Sequence, residues 1–139
     1  MSSRREQSLA FGILWLRVFM GLGISLFHGY GKVFGGRMEQ FTEGVAKMGF
    51  PMPDVFAWTG ALSEFLGGIL IALGLGTRIA AFFVFSTMAV AAFIRHASDP
   101  FDVKELALLY GTIAMAIVPI GPGRFSLDHL ICRAFGKGR

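Results

Sequence analysis

Two charged side chains, Arg17 and Glu64, stand well inside runs of apolar residues, and five more polar groups, His28, Lys32, Arg95, His96 and Glu105, stand at the ends of such runs. A charge within a membrane span is costly unless it is paired or solvated, so each marks a candidate site. His28 follows Arg17 by eleven residues, which at about 100° per residue returns to within roughly 20° of the same helical face. Arg17, Gly21, Ile24, His28 and Lys32 therefore form one stripe on a first helix. On a second, Gly60, Glu64 and Gly68 share a face with Ala57 and Ile71, and Gly67 lies beside them. Small residues of this kind let a partner helix approach closely. If the first span enters the bilayer near Leu9 and the second, antiparallel to it, near Asp54, both charges lie near the midplane, and Glu64 is the expected partner of Arg17. Such a pair serves either to lock helix register or to line a ligand site.

The same count brings His28, Lys32, Arg95, His96 and Glu105 together at one mouth of the bundle. Cations at helix C-termini and an acid at a helix start complement the helix dipoles, at about 0.3–1 kcal/mol each. That accounts for Lys32, Arg95 and Glu105, and less well for the two histidines. Two histidines without an attachment motif do not make a haem or metal centre, and no metal is expected. Cys132, the single cysteine, can form no intrachain disulfide, C-x-x-C pair or thiolate cluster. A better fit is hydrogen bonding from His, Lys or Arg to a neutral ring-bearing lipid such as a quinone, with a carboxylate handling protons. No cofactor is firmly implied, and a quinone is the compatible one. Phe85, Met88 and Ala92, leading to His96, read as packing.

The elements that position these groups follow from composition. The 139 residues are 54% hydrophobic and 16% charged, with 15 Phe and 19 Gly, against roughly 25% charged residues in an ordinary soluble domain. With mean hydropathy +0.62, too few polar side chains remain to cover a water-exposed globule. A soluble multi-domain enzyme and a disordered tail are both excluded. The net charge of +4 accompanies no basic run interleaved with aromatics, so lipid headgroups rather than nucleic acid are the expected partner.

Four apolar spans are expected, at about 9–30, 54–75, 78–95 and 103–120, in a single membrane domain covering 1–139. Their lengths of roughly 27–33 Å match a hydrocarbon core of about 30 Å. Arg4 and Arg5 precede the first span, which lacks a convincing cleavage site and reads as a retained helix, not a signal peptide. Gly74, Gly76, Thr77 and Arg78 make a short hairpin turn. Asp102 and Glu105 resemble a capping box opening the fourth span, and Pro119, Gly121, Pro122 and Gly123 close it. Between the first two spans, Met38, Phe41, Val45 and Met48 recur at near-helical spacing, predicting a short interfacial helix. After the fourth, Leu127, Leu130, Ile131, Ala134 and Phe135 predict a basic amphipathic C-terminal helix bearing His129, Arg133 and Lys137 on its other face. The fold class is thus all-α, an integral membrane four-helix bundle.

An even span number puts both termini on one side. That side holds Arg4, Arg5, Arg78, Arg124, Arg133, Lys137 and Arg139, against Lys32, Arg37, Lys47, Arg95 and Lys104 on the other. The seven-to-five bias favours cytoplasmic termini.

In order along the chain, Arg17 with Gly21, then His28, Gly29 and Lys32, then Glu64 with Gly67 and Gly68, then Gly74, Thr77 and Arg78, then His96, Glu105 and Tyr110, and finally the tail Gly121, Pro122, Gly123, Arg124, Ser126, Leu127 and Asp128, resemble the DoxX family of small bacterial membrane proteins. The resemblance covers nearly the whole chain. It implies a four-helix protein of the bacterial inner membrane. Family members have been associated with quinone-linked sulfur oxidation and with membrane redox complexes that counter oxidative stress, and distant relatives act as chaperones or cargo receptors. The leading expectation is an accessory subunit of a redox or quinone-linked complex, working with a redox protein partner rather than as a self-sufficient enzyme. A chaperone or a small-ligand or lipid-binding bundle is the competing class, and a small transporter a third. The glycine faces serve packing within one chain or in a homo-oligomer equally well.

Overall fold

The computed structural model describes residues 2–136; Met1 and, from the basic C-terminal count, Lys137 and Arg139 lie outside the described residues. The described chain is helical, with no strand among those residues. Helix α1 (Ser2–Ile24) runs through a π-helical turn, Ser25–Gly29, into the short α2 (Tyr30–Val33). Next come α3 (Met38–Lys47), α4 (Pro53–Leu73), α5 (Thr77–Val90) with a second π-helical turn at Ala91–Arg95, α6 (Phe101–Ile120) and α7 (Leu127–Phe135). Four helical segments are long and apolar enough to cross a membrane: Ser3–Val33, Pro53–Leu73, Thr77–Arg95 and Phe101–Ile120.

Local chemistry sets the boundaries. Pro53 opens α4 with Asp54 in its first turn, where a missing N–H costs nothing and a carboxylate meets the positive end of the helix dipole. Gly74 closes it in the left-handed conformation (φ 74°), so that both Gly74 N–H and Leu75 N–H return to Leu70 O at 2.9 Å. The turn to α5 is then three residues long, and α4 and α5 form the expected hairpin. The capping box predicted at Asp102 and Glu105 does not form. Pro100 is the residue before α6 and no side chain caps it, which leaves Asp102 inside the first turn facing the dipole.

The spans pack in chain order, α1 on α4, α4 on α5 and α5 on α6, and α6 closes weakly onto α1. The core holds Met20, Ile24, Ile71, Val84, Met88, Ala114 and Ile117. Large apolar side chains such as Phe11, Phe19, Phe27, Ile79, Phe82 and Leu109 point outward, which is the inverse of a soluble bundle and suits a lipid surround. The α1–α4 contact is made backbone to backbone at Gly21 and Gly68. A Cβ at Gly68 would lie 2.5 Å from Gly21 O, and one at Gly21 would strike Gly68 O in return. Gly67 faces Val84 of α5 instead.

Replacement of Gly68 by Ala should therefore lower the thermal unfolding temperature in detergent, at a cost of about 1–3 kcal/mol from forced separation of the helices. Gly12→Ala, at a position with open space around it, should leave stability unchanged or raise it by about 1 kcal/mol through helix propensity. Equal melting of Gly68→Ala and the parent protein would refute the close approach.

Candidate functional site

The glycine contacts set a helix register that separates the two buried charges. Gly21 lies against Gly68 and Ala72, and Gly29 against Phe65, so Glu64 is level with the end of the π-helical turn beyond α1, and Arg17 lies about twelve residues back along the first span, or about 18 Å. The expected Arg17–Glu64 pair does not exist. Its premise, a first span entering at Leu9, fails because the helix starts seven residues earlier and its contact register is set by glycines rather than by equal depth.

Arg17 is fully buried against the α4–α5 turn. Its Nη2 donates to Phe125 O at 2.5 Å, its guanidinium packs so closely on Gly74 that no Cβ fits there, and Nε and Nη1 have no hydrogen-bond partner among the described residues. Asp128, at the start of α7, completes this clasp. Its carboxylate accepts from Gly76 N at 2.9 Å and from Thr77 N and Oγ1, each at 3.1 Å, while its own N–H donates to Gly74 O at 2.9 Å. Burial pushes the Asp128 carboxyl up, but the hydrogen bonds from Gly76 and Thr77 and the nearby Arg17 charge outweigh it, so its pKa lies below the ordinary value. Asp128 was not among the candidate residues. The signal for it was indirect: α5 begins after Gly76, which has no side chain to satisfy the first N–H groups, so an acceptor must come from elsewhere.

Glu64 is paired with Lys32 instead. Lys32 Nζ lies 2.5 Å from Glu64 Oε2, with the carboxylate side chain 4% and the lysine side chain 21% exposed. The ammonium also lies 4.2 Å from the centre of the Phe41 ring, on α3. The π-helical turn arranges this. Tyr30 N–H bonds back five residues to Ser25 O, and the extra residue hands the α4-facing position from His28 to Gly29. His28 packs edge-on against Tyr110 of α6, ring centres 5.5 Å apart.

Lys32 and Glu64 line one end of a cleft of about 450 Å³ between α3, α4 and α5, within the usual size of ligand pockets. Arg95 and His96, carried by and just after the second π-helical turn, line the same cleft further along α5. His96 Nδ1 is 2.6 Å from Asp99 Oδ2. Phe41 and Val45 of α3 and Met48 just after it cover the cleft, so the amphipathic helix expected in the first loop serves as its roof. Gly60 lines it and also lies where neighbouring helices meet α4: a Cβ there would sit 3.4 Å from the Phe41 ring of α3 and 3.7 Å from Thr87 of α5. Of the five groups expected at one mouth, Lys32, Arg95 and His96 line one cleft, as does Glu64. His28, which faces α6, and Glu105, which is exposed on α6, do not. The aromatic walls were missed because Phe56, Phe82 and Phe83 look like ordinary lipid-facing residues in sequence.

The DoxX family profile matches residues 12–97, from α1 through the turn that carries Arg95 and His96. The chain belongs to the DoxX family. The match thus spans every charged residue lining the cleft. The chain is 32% identical over 127 residues to the inner membrane protein YqjF of Escherichia coli, covering 86% of this chain and 92% of that one. It is 36% identical over 95 residues to an uncharacterized protein of Haemophilus influenzae, covering 63% and 68%. No solved structure matches the chain. This DoxX protein is, with its four apolar spans, a multi-pass membrane protein.

A double-mutant cycle on unfolding stability in detergent distinguishes the two pairings. Lys32→Met with Glu64→Gln should show coupling of about 0.5–3 kcal/mol, whereas Arg17→Gln with Glu64→Gln should be additive within about 0.5 kcal/mol. Coupling confined to Arg17 and Glu64 would contradict the register.

Proposed function

We propose that this DoxX protein is an accessory subunit of a membrane redox complex and holds the ring of a quinone-like lipid in the cleft between α3, α4 and α5. The observation that carries this reading is the composition of the cleft: the hydrogen-bonding groups Lys32, Glu64, Arg95 and His96 set among Phe side chains. Such a site suits a flat apolar ring with polar oxygens at its rim. When bound, a quinone supplies reversible two-electron chemistry; the electrons come from a partner, because one cysteine and no thiol pair leave this chain without a dithiol of its own.

The residues present fit such a group. Lys32 is a donor toward a ring oxygen and is held in place by Glu64 and the Phe41 ring. His96 is oriented by Asp99 at Nδ1, which leaves Nε2 to accept from a ring hydroxyl when neutral or donate to a ring carbonyl when protonated. Glu64, buried beside Lys32, is the carboxylate placed to exchange a proton with the ring edge. Phe41 of α3 and Met48 just after it exclude water from above.

The reading extends to location and orientation. An inner-membrane location accords with the printed name of the Escherichia coli relative. Arg4, Arg5, Arg78, Arg124 and Arg133 lie at the α7 end, and two of the five basic residues at the other end, Lys32 and Arg95, line the cleft rather than flank the span. Cytoplasmic termini follow from the positive-inside rule, with the cleft toward the outer leaflet.

A short-chain quinone analogue should bind the purified protein in lipid nanodiscs, and Lys32→Met or His96→Ala should weaken binding about tenfold while His28→Ala leaves it intact. Absence of binding to the unaltered protein would end the quinone reading. For orientation, the exposed single Cys132 on α7 is a native reporter. A membrane-impermeant maleimide should label it in inverted vesicles and not in intact spheroplasts, and the reverse pattern would invert the topology.

A further inference from the structure

One cation that lines the cleft has no carboxylate partner among the described residues. Lys32 is matched by Glu64 and His96 by Asp99, whereas no carboxylate among the described residues pairs with Arg95. Arg95 is exposed as a residue, and its guanidinium has one close neighbour on the cleft side. It is tucked beneath the buried Gly44 of α3, so tightly that a Cβ at Gly44 would strike Nη1. A glycine on the inner face of the roof helix therefore makes room for a cation in the cleft lining.

The aromatic wall of the cleft also faces lipid. Phe56, Phe82 and Phe83 line the cleft and are also 41%, 55% and 47% exposed on the outer surface of α4 and α5. The hydroxyls nearest to them are already satisfied: Thr59 donates to Val55 O at 2.7 Å and Ser86 to Phe82 O at 2.9 Å, each within its own helix. The α4 and α5 surfaces at these rings thus present an apolar track to a chain lying along them, outside the Ser63–Thr87 contact that joins the two helices. An unmatched guanidinium beside an apolar track has the complementarity of one ligand class.

We propose that the cleft binds amphiphiles with a single acidic head, a carboxylate or a phosphate monoester, seated on Arg95 with the chain lying along α4 and α5 toward the bilayer. The planar guanidinium presents paired N–H donors that match either head bidentately. The inference rests on the cleft being a ligand site, and not on that ligand being a quinone.

The test uses the full chain in phosphatidylcholine nanodiscs, with radiolabelled oleate, oleyl phosphate and oleyl alcohol as probes and binding to empty nanodiscs subtracted. The unaltered protein should bind oleate or oleyl phosphate at least tenfold more tightly than the alcohol, and the better of the two acids identifies the head. Arg95→Gln should lose about tenfold toward that acid and nothing toward the alcohol, while Arg95→Lys should retain most of the preference. Equal binding of acid and alcohol to the unaltered protein, a comparison that needs no variant, overturns the proposal. So does an Arg95→Gln protein that still melts cooperatively and keeps the preference. Binding of the short-chain quinone with no preference for acids leaves the quinone reading standing and removes this one; acid binding without quinone binding does the converse.

Discussion

A carboxylate with 4% of its side chain exposed, in the middle of a helix apolar enough to cross a membrane, is the constraint around which one half of this molecule is arranged. Glu64 is tolerable because Lys32 reaches it, and Lys32 reaches it only under three conditions. The first span must remain helical to Val33; the π-helical turn at Ser25–Gly29 must bring Gly29 against α4; and Gly21 and Gly68 must let the two backbones meet. Removing one partner of a buried pair strands the other, at a cost of about 3–5 kcal/mol in well-buried cases, whereas apolar replacement of both is often neutral or better. Stability alone does not explain the pair. Its position in the lining of a cleft, with Phe41 stacked on the ammonium, gives it a role in holding a polar edge inside an apolar wall.

The other half is organised by a separate interaction. Arg17 and Asp128 hold α7 and the preceding segment onto the α4–α5 turn, through Phe125 O, Gly74, Gly76 and Thr77. The bundle therefore has two dissimilar ends. At one, α7 is clasped against a tight turn; at the other, α3 roofs a cleft and two π-helical turns widen the ends of the first and third spans. Such turns leave a helix with a locally altered hydrogen-bond ladder and often accompany functional positions, and here one displaces His28 while the other carries Arg95.

The four spans, the α4–α5 hairpin, the short helix in the first loop and the amphipathic helix at the end are legible from periodicity and turn residues, because each depends on contacts close in sequence. Register is not. Whether Arg17 or Lys32 meets Glu64 depends on which glycines nest, and a count from assumed membrane edges misplaces Arg17 by several turns. The π-helical turn breaks the stripe that joins Arg17 to His28, since one extra residue rotates everything beyond Ile24. Asp128 satisfies amides about fifty residues away, a pairing that no local pattern encodes. The polar residues of the cleft are visible as anomalies against an apolar background, whereas its aromatic walls are not, because Phe82 and Phe83 belong equally to the cleft and to the lipid-facing surface.

Family membership accounts for the shared architecture, and the cleft is where a particular chemistry would be set on it. Its polar groups, its aromatic wall and its roof lie within the segment that the family profile covers. The most direct measurement is an experimental structure of the protein reconstituted with lipid extract from its native membrane. The account predicts elongated non-protein density along α4 and α5, its polar end within hydrogen-bond distance of Lys32, Arg95 or His96, and the Lys32–Glu64 pair intact. A cleft closed by the Phe41 and Phe83 side chains and empty of density, or Glu64 paired with Arg17, would contradict it.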